Sequence, residues 1–339
     1  MMQALLYIAV IIPCFAVLAW SADRFVYGAG GLARELGMAP LLVGLVIVGF
    51  GTSAPELMVS AAAALADNSG LAVGNAVGSN IANIALILGL SVLFIPLVID
   101  NVTIRRELLA VLAATALVAV LMVTGHQNGL VGLSRLDGWL MLAGLALVMT
   151  WLVHGSLAEA RRARQAGNPA AATISEDDVP PALPVGVAIA WLIGSLAALL
   201  ISARLLVWAA VQLATAAGVS DLVIGLTIVA VGTSLPELAT AVAAARQRQF
   251  GLLLGNILGS NLFNILGVLG LAMAINPALL PDAVLYRDYL FMALLTLLLA
   301  WLVGRRGQMG RWIAALMLLS YAGYQVLLFS HQFQSLVSP

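Results

Sequence analysis

Residues 44–90 read GLVIVGFGTSAPELMVSAAAALADNSGLAVGNAVGSNIANIALILGL, and residues 225–271 read GLTIVAVGTSLPELATAVAAARQRQFGLLLGNILGSNLFNILGVLGL. Set 181 positions apart, the two segments align without a gap, and 25 of their 47 positions are identical. Self-similarity on this scale marks a duplicated structural unit. Each copy covers two apolar stretches, and about 20 mostly apolar residues are enough to cross a hydrocarbon core. By that ruler the 339-residue chain offers ten spans, at about 3–27, 39–66, 71–96, 107–124, 131–153, 185–215, 221–245, 251–276, 286–303 and 311–329. Each copy therefore sits on the second and third spans of a five-span half. Five is odd, so the halves cross the membrane in opposite senses, an arrangement that marks secondary transporters. The expected fold is an all-α membrane protein of ten transmembrane helices in two inverted five-helix repeats with broken core helices. Residues 1–154 form the first repeat, 155–184 a polar, Pro-rich cytoplasmic linker, and 185–339 the second repeat.

Composition agrees. Hydrophobic residues make up 63% of the chain and charged residues 9%, against roughly 45–50% and about 25% in soluble domains. The 15 basic residues balance 15 acidic ones, so no net field draws nucleic acid; the partner implied is the lipid bilayer, with no obligate protein partner evident. Every basic residue is arginine, and without lysine there is no P-loop, no Schiff-base cofactor and no Ser-Lys dyad. The lone Cys14 excludes an intramolecular disulfide. The first stretch has no basic residue before Arg24, so it reads as a retained helix rather than a signal peptide. Twelve arginines fall after the odd-numbered spans, and only Arg135 and Arg287 in the opposite loops. The positive-inside rule then puts both termini on the non-cytoplasmic side, with the cell (inner) membrane as the expected location.

The chemistry lies inside the repeat. Pro55 and Pro236 cannot donate to the carbonyl four residues back, and Gly51 and Gly232 loosen the backbone at the same place. Carbonyls around Gly49–Thr52 and Ala230–Thr233 are thereby freed, which a membrane tolerates only where they face protein or a polar cavity. Glu56 and Glu237 follow immediately, near mid-span. An intramembrane carboxylate is expensive and functional by default, and neither has a nearby arginine in sequence. Thr52 and Ser53 precede Glu56 by four and three positions, Thr233 and Ser234 precede Glu237 likewise, and such spacings share a helix face. On the following spans Asn75, Ser79 and Asn83, and Asn256, Ser260 and Asn264, are spaced by four, making one polar stripe each. Asn80 and Asn261 point elsewhere and read as helix-packing groups. The donor set is carboxylate, hydroxyl, amide and carbonyl oxygen. Such hard ligands suit Ca²⁺, Na⁺ or Mg²⁺ better than zinc or copper; Mg²⁺ dehydrates less readily, and two bidentate glutamates with two carbonyls give six oxygens, within the roughly 6–8 that Ca²⁺ takes.

At GTSAPE with GNAVGSNIAN, and GTSLPE with GNILGSNLFN, the chain resembles a sodium/calcium exchanger of the Ca²⁺/cation antiporter superfamily, over nearly its whole length. The resemblance implies that Glu56 and Glu237 bind Ca²⁺ with the Thr52 and Thr233 carbonyls. It implies Na⁺ sites at Ser53, Ser79, Ser234 and Ser260, with the Gly49 and Ala230 carbonyls as further ligands; Asn83 and Asn264 join the candidate ion site from their place on the polar stripes. Potassium-dependent members, and some prokaryotic ones, place Asp where this chain has Asn264; its absence lowers the negative charge and argues against K⁺ co-transport. The resemblance also implies that the first and sixth spans slide as a pair; the large cytoplasmic calcium-sensing domains of animal exchangers have no counterpart in this sequence, so regulation by them is not expected.

The function expected is Na⁺/Ca²⁺ antiport by alternating access, in the direction of Ca²⁺ export, with Ca²⁺ and Na⁺ as transported ions and no cofactor. A Ca²⁺/H⁺ antiporter would keep the glutamates but leave the serine stripe without a task. A passive channel would need no inverted broken helices. An intramembrane hydrolase would need a histidine or lysine to activate a serine, and the span interiors hold neither.

Overall fold

The computed structural model describes residues 2–98, 104–165, 183–216, 230–306 and 308–337. Helix α1 (Met2–Leu36) is followed by a bent pair, α2 (Pro40–Thr52) and α3 (Ala54–Leu65), then α4 (Ser69–Phe94), α5 (Arg105–Thr124) and α6 (Arg135–Gln165). The second half holds α7 (Val185–Ala216), the short α8 (Ala230–Thr233), α9 (Leu235–Arg246), α10 (Phe250–Ile275), α11 (Val284–Gly304) and α12 (Arg311–Val337). Among the described residues eight helices are long and apolar enough to span a membrane, and the bent pair makes a ninth. The remaining expected span, 221–245, is described only from Ala230, and residues 221–229 lie outside the described residues, as does the linker stretch 166–182.

Local chemistry explains where these helices begin and end. Gly37 takes φ +63° after α1, and Met38 donates to the Ala33 carbonyl, a left-handed stop that turns the chain into Pro40 at the start of α2. Asp67 and Arg248, equivalent in the repeat, both end their helices at positive φ, 57° and 55°. Asn68 then caps α4 by accepting from the Leu71 N–H at 3.1 Å. Ser134 and Asp137 exchange hydrogen bonds at the head of α6, the reciprocal form of a capping box.

The duplication is carried into packing. α1 lies against α7 along much of its length. A side chain on Gly28 would come within 3.0 Å of the Trp191 Cβ and 3.1 Å of the Ala188 carbonyl, so small residues set this approach. α6 covers the C-terminal part of α10 as α12 covers the C-terminal part of α4. The backbone widens to π-helix at 82–88 and at 263–268, which are equivalent stretches and hold Asn83 and Asn264. Such widenings recur at functional sites.

Three differences from expectation have physical causes. α1 continues to Leu36, so Arg24 and Arg34 lie on helix rather than in a loop. A hydropathy ruler measures the apolar length and not the helix, and nothing interrupts the helix before Gly37. At about 1.5 Å per residue its length exceeds a hydrocarbon core of about 30 Å. α6 likewise runs beyond 153 to Gln165. Short strands also punctuate the helices: β1 (Leu97–Val98), β2 (His126–Gln127), β3 (Leu130–Leu133), β4 (Ala278–Pro281) and β5 (Gln308–Met309). β1 pairs with β5, and β2–β3–β4 form an antiparallel sheet, so each sheet ties one half to the other at a membrane surface.

Candidate functional site

The site is where the helices break. Ser53 (φ −80°, ψ 5°) and Ser234 (φ −90°, ψ 9°) leave the helical region immediately before the Ala54-Pro55 and Leu235-Pro236 steps, and α2 and α3 meet at 44°. Proline suits the first turn of α3 and α9, where its missing N–H has no intrahelical partner. Glu56 and Glu237 fall in that same first turn, where the positive end of the helix dipole favours a carboxylate. The last carbonyls of α2 face the break from the other side.

Both glutamates are buried, at 0% and 2% exposure. They meet through a reciprocal exchange between the repeats. Ser53 Oγ donates to Glu237 Oε1 at 3.2 Å, and Ser234 Oγ donates to Glu56 Oε1 at 3.4 Å. The other oxygens, Glu56 Oε2 and Glu237 Oε2, are buried without a donor among the described residues. No arginine pairs with either carboxylate there. Two buried acids, each met by one neutral hydroxyl donor, are costly to leave charged together, and a bound cation or a proton relieves that cost.

The surrounding oxygens converge as the spacing suggests. Thr52, fully buried, donates to Asn256 Oδ1 at 3.1 Å and lies 3.4 Å from Ser260 Oγ. The Gly49 carbonyl accepts from Ser260 Oγ and from Thr52 Oγ1, both at 3.4 Å, and from the Ser53 N–H at 3.1 Å. Thr233 is half-buried, Ser79 is buried, and Ala230 opens the short α8. Asn83 and Asn264 are buried, and neither oxygen of these two amides has a donor among the described residues. Among those residues no group of three His, Cys, Asp or Glu side chains comes together. The donor chemistry therefore fits hard cations rather than transition metals.

Two functions were not read from the stripe. Asn75 donates to the Glu56 carbonyl at 3.2 Å, and its equivalent Asn256 to the Glu237 carbonyl at 3.4 Å, so each amide holds a glutamate's backbone in place. The four-residue spacing with Ser79 and Ser260 was the available signal. Asn80 points to Met292 Sδ at 3.5 Å, a packing contact as expected. Asn261 accepts from Asn83 Nδ2 at 3.1 Å, a hydrogen bond between packed helices as expected, though it lands on a residue of the other helix's polar stripe.

Membrane-length helices from both copies of the repeat, with broken helices that bring two buried acids together, define a multi-pass membrane transporter and not an enzyme. The sodium/calcium exchanger protein family model matches residues 6–154 and 187–330, and the chain belongs to that family. It is 42% identical to a putative antiporter, CaxA, of Alkalimonas amylolytica, covering 93% of this chain and 96% of that one. It is 38% identical to inner membrane protein YrbG of Escherichia coli, covering 92% and 94%. It is 31% identical to the sodium/calcium exchanger MaX1 of Methanosarcina acetivorans, covering 91% and 94%. A solved structure of the sodium-calcium exchanger NCX_Mj superposes with a TM-score of 0.79 at 30% identity, covering 94% of this chain and 97% of that one.

Proposed function

We propose that this protein exchanges Na⁺ for Ca²⁺ across a membrane by alternating access. The observation that carries the reading is the reciprocal Ser53–Glu237 and Ser234–Glu56 exchange, which brings two buried acids from opposed repeats to one point. One Ca²⁺ would neutralise that pair, held by Glu56 and Glu237 with the Thr52 and Thr233 carbonyls. Na⁺ would use the same acids with Ser53, Ser79, Ser234 and Ser260, the Gly49 and Ala230 carbonyls, and the Asn83 and Asn264 amides. The ions compete for shared oxygens, so they take turns. A doubly negative site without cation is costly in low-dielectric surroundings, which disfavours the return step without cargo and enforces exchange.

An asymmetry between the repeats supports alternation. In the second repeat Leu252, Gly255, Asn256 and Gly259 are buried, whereas their equivalents Leu71 and Gly74 are exposed and Asn75 and Gly78 half-buried. The α2 arm is pressed onto α10: a side chain on Gly49 would come within 2.8 Å of the Ser260 N–H nitrogen, and one on Gly44 within 2.7 Å of the Leu252 carbonyl. With 1–154 and 185–339 as inverted repeats joined by a cytoplasmic 155–184 linker, and both termini outside, the sealed side is cytoplasmic. An inward Na⁺ gradient then drives Ca²⁺ out of the cell. If Na⁺ charge exceeds that of Ca²⁺, each net charge is worth about 2.3 kcal/mol per 100 mV.

The test is Ca²⁺ flux in proteoliposomes under separate Na⁺, K⁺ and H⁺ gradients, with Glu56→Gln and Glu237→Gln as controls. Na⁺ alone is expected to drive uptake, and each substitution to abolish it. Flux driven by H⁺ without Na⁺ would establish the Ca²⁺/H⁺ alternative, and flux surviving both substitutions would remove these acids from the mechanism.

A further inference from the structure

A groove of about 350 Å³ opens where α1 passes the end of α9, lined by Trp20, Asp23, Arg24, Tyr27, Arg246 and Gln247. None of the residues assigned to the ion site lines it. Its walls come from both repeats: Arg246 reaches Asp23 at 3.6 Å, and Gln247 Nε2 donates to the Asp23 carbonyl at 3.0 Å.

Arg24 is held unusually. Its guanidinium carbon lies 5.3 Å from the Trp191 ring centroid and 5.9 Å from that of Tyr27, and among the described residues no carboxylate pairs with it. Aromatic contact occupies the face of the guanidinium and leaves its in-plane N–H edge for an anion, in the fork geometry that matches a phosphate. Arg246 adds a second positive charge that Asp23 only partly offsets, at side-chain exposures of 63% and 36%.

The groove also adjoins exposed apolar surface on α1. Trp20 and Val17 precede Arg24 on the same face of α1, at 49% and 42% exposure, and Trp20 packs edge-on against Trp191. Tryptophan at this position marks headgroup depth. A cationic fork at the interface with an exposed apolar track leading into the bilayer has the polarity of a phospholipid, headgroup at Arg24 and acyl chain along Val17.

We propose that this groove binds the phosphodiester headgroup of an anionic phospholipid, with Arg24 as the main contact and Arg246 and Gln247 beside it. Because it joins α1 to the end of α9, an occupied groove would brace these helices against each other.

The experiment is native mass spectrometry of the purified full chain titrated with phosphatidylglycerol or phosphatidylcholine, with inorganic phosphate as a competitor. The expected result is preferential retention of phosphatidylglycerol, reduced about fivefold in Arg24→Gln, the worth of one basic residue at an anionic surface. Arg24→Lys keeps the charge but loses the ring-stacked fork, and should fall between the two. Arg135→Gln, at the opposite membrane surface, should match the wild type. Equal retention of the two lipids, or an unchanged Arg24→Gln, would overturn the proposal. Displacement of lipid by millimolar inorganic phosphate would show a free-anion site and overturn the lipid assignment. None of these readouts depends on which ions the protein exchanges.

Discussion

Ser53 Oγ donates to Glu237 Oε1 at 3.2 Å, and the bond runs from the break in one repeat to the acid of the other. Its mirror image runs from Ser234 to Glu56 at 3.4 Å. Each hydroxyl thus orients a carboxylate it does not share a helix with, so neither repeat contains a complete site. The acids are held by groups that can also turn an oxygen toward a cation. That combination distinguishes these serines from hydroxyls such as Ser91, which donates to the Ile87 carbonyl of its own helix at 2.8 Å.

Ser53→Ala and Ser234→Ala should therefore weaken Na⁺ use more than Ca²⁺ use. A hydrogen bond to a charged group is worth about 1.5–3 kcal/mol, so the Na⁺ concentration for half-maximal Ca²⁺ efflux should rise about tenfold or more. Radiolabelled Ca²⁺ flux measured across a Na⁺ series reads this directly. Unchanged Na⁺ dependence in both variants would mean that the bridge only holds the fold together.

Gly78 and Gly259 are equivalent in the repeat but differ in surroundings. A side chain on Gly259 would strike the Leu45 carbonyl and approach the Leu45 Cα to 2.7 Å, whereas one on Gly78 meets no described residue within 4 Å. Gly259→Ala should cost about 1–3 kcal/mol in thermal unfolding, the range for overpacking. Gly78→Ala should leave stability within about 0.5 kcal/mol, since the added methyl meets no described residue. If the repeats exchange roles during transport, Gly78 must be packed in the other state, and Gly78→Ala should slow Ca²⁺ flux despite normal stability. Equal stability loss in both variants would contradict the asymmetric packing.

The duplication is what made this protein readable. Each chemical signal occurs twice at a constant offset, so Pro55 with Glu56 is checked by Pro236 with Glu237, and the structure brings both acids to one point. Less was legible where the halves diverge. Nothing in the spacing separates Asn80, which turns to Met292, from its equivalent Asn261, which accepts from Asn83. That choice depends on which neighbouring helix is nearer, a tertiary fact. The strands were invisible because two to four residues are too few to display a period of two. The length of α1 was underestimated because its last turns, beyond residue 27 and carrying Arg34, are helical without being uniformly apolar.

Asn264 offers the sharpest test of how charge is balanced at the centre. It is fully buried, and neither its oxygen nor its nitrogen has a partner among the described residues. Asn264→Asp preserves the shape and adds a third acid to a region that already holds Glu56 and Glu237. Without cations the variant must bury that charge or protonate it, and the cost of an unpaired buried charge is several kcal/mol, about 3–5 where a partner is missing. Its melting temperature in chelator and Na⁺-free buffer should fall well below that of the wild type. Added cation binds the folded state and stabilises it by RT ln(1 + [L]/Kd), so tighter binding returns more stability. The rise in melting temperature on adding Ca²⁺ should therefore be larger in Asn264→Asp than in the wild type, measured by intrinsic tryptophan fluorescence. An equal rise in the two proteins would place Asn264 outside the field of the bound ion.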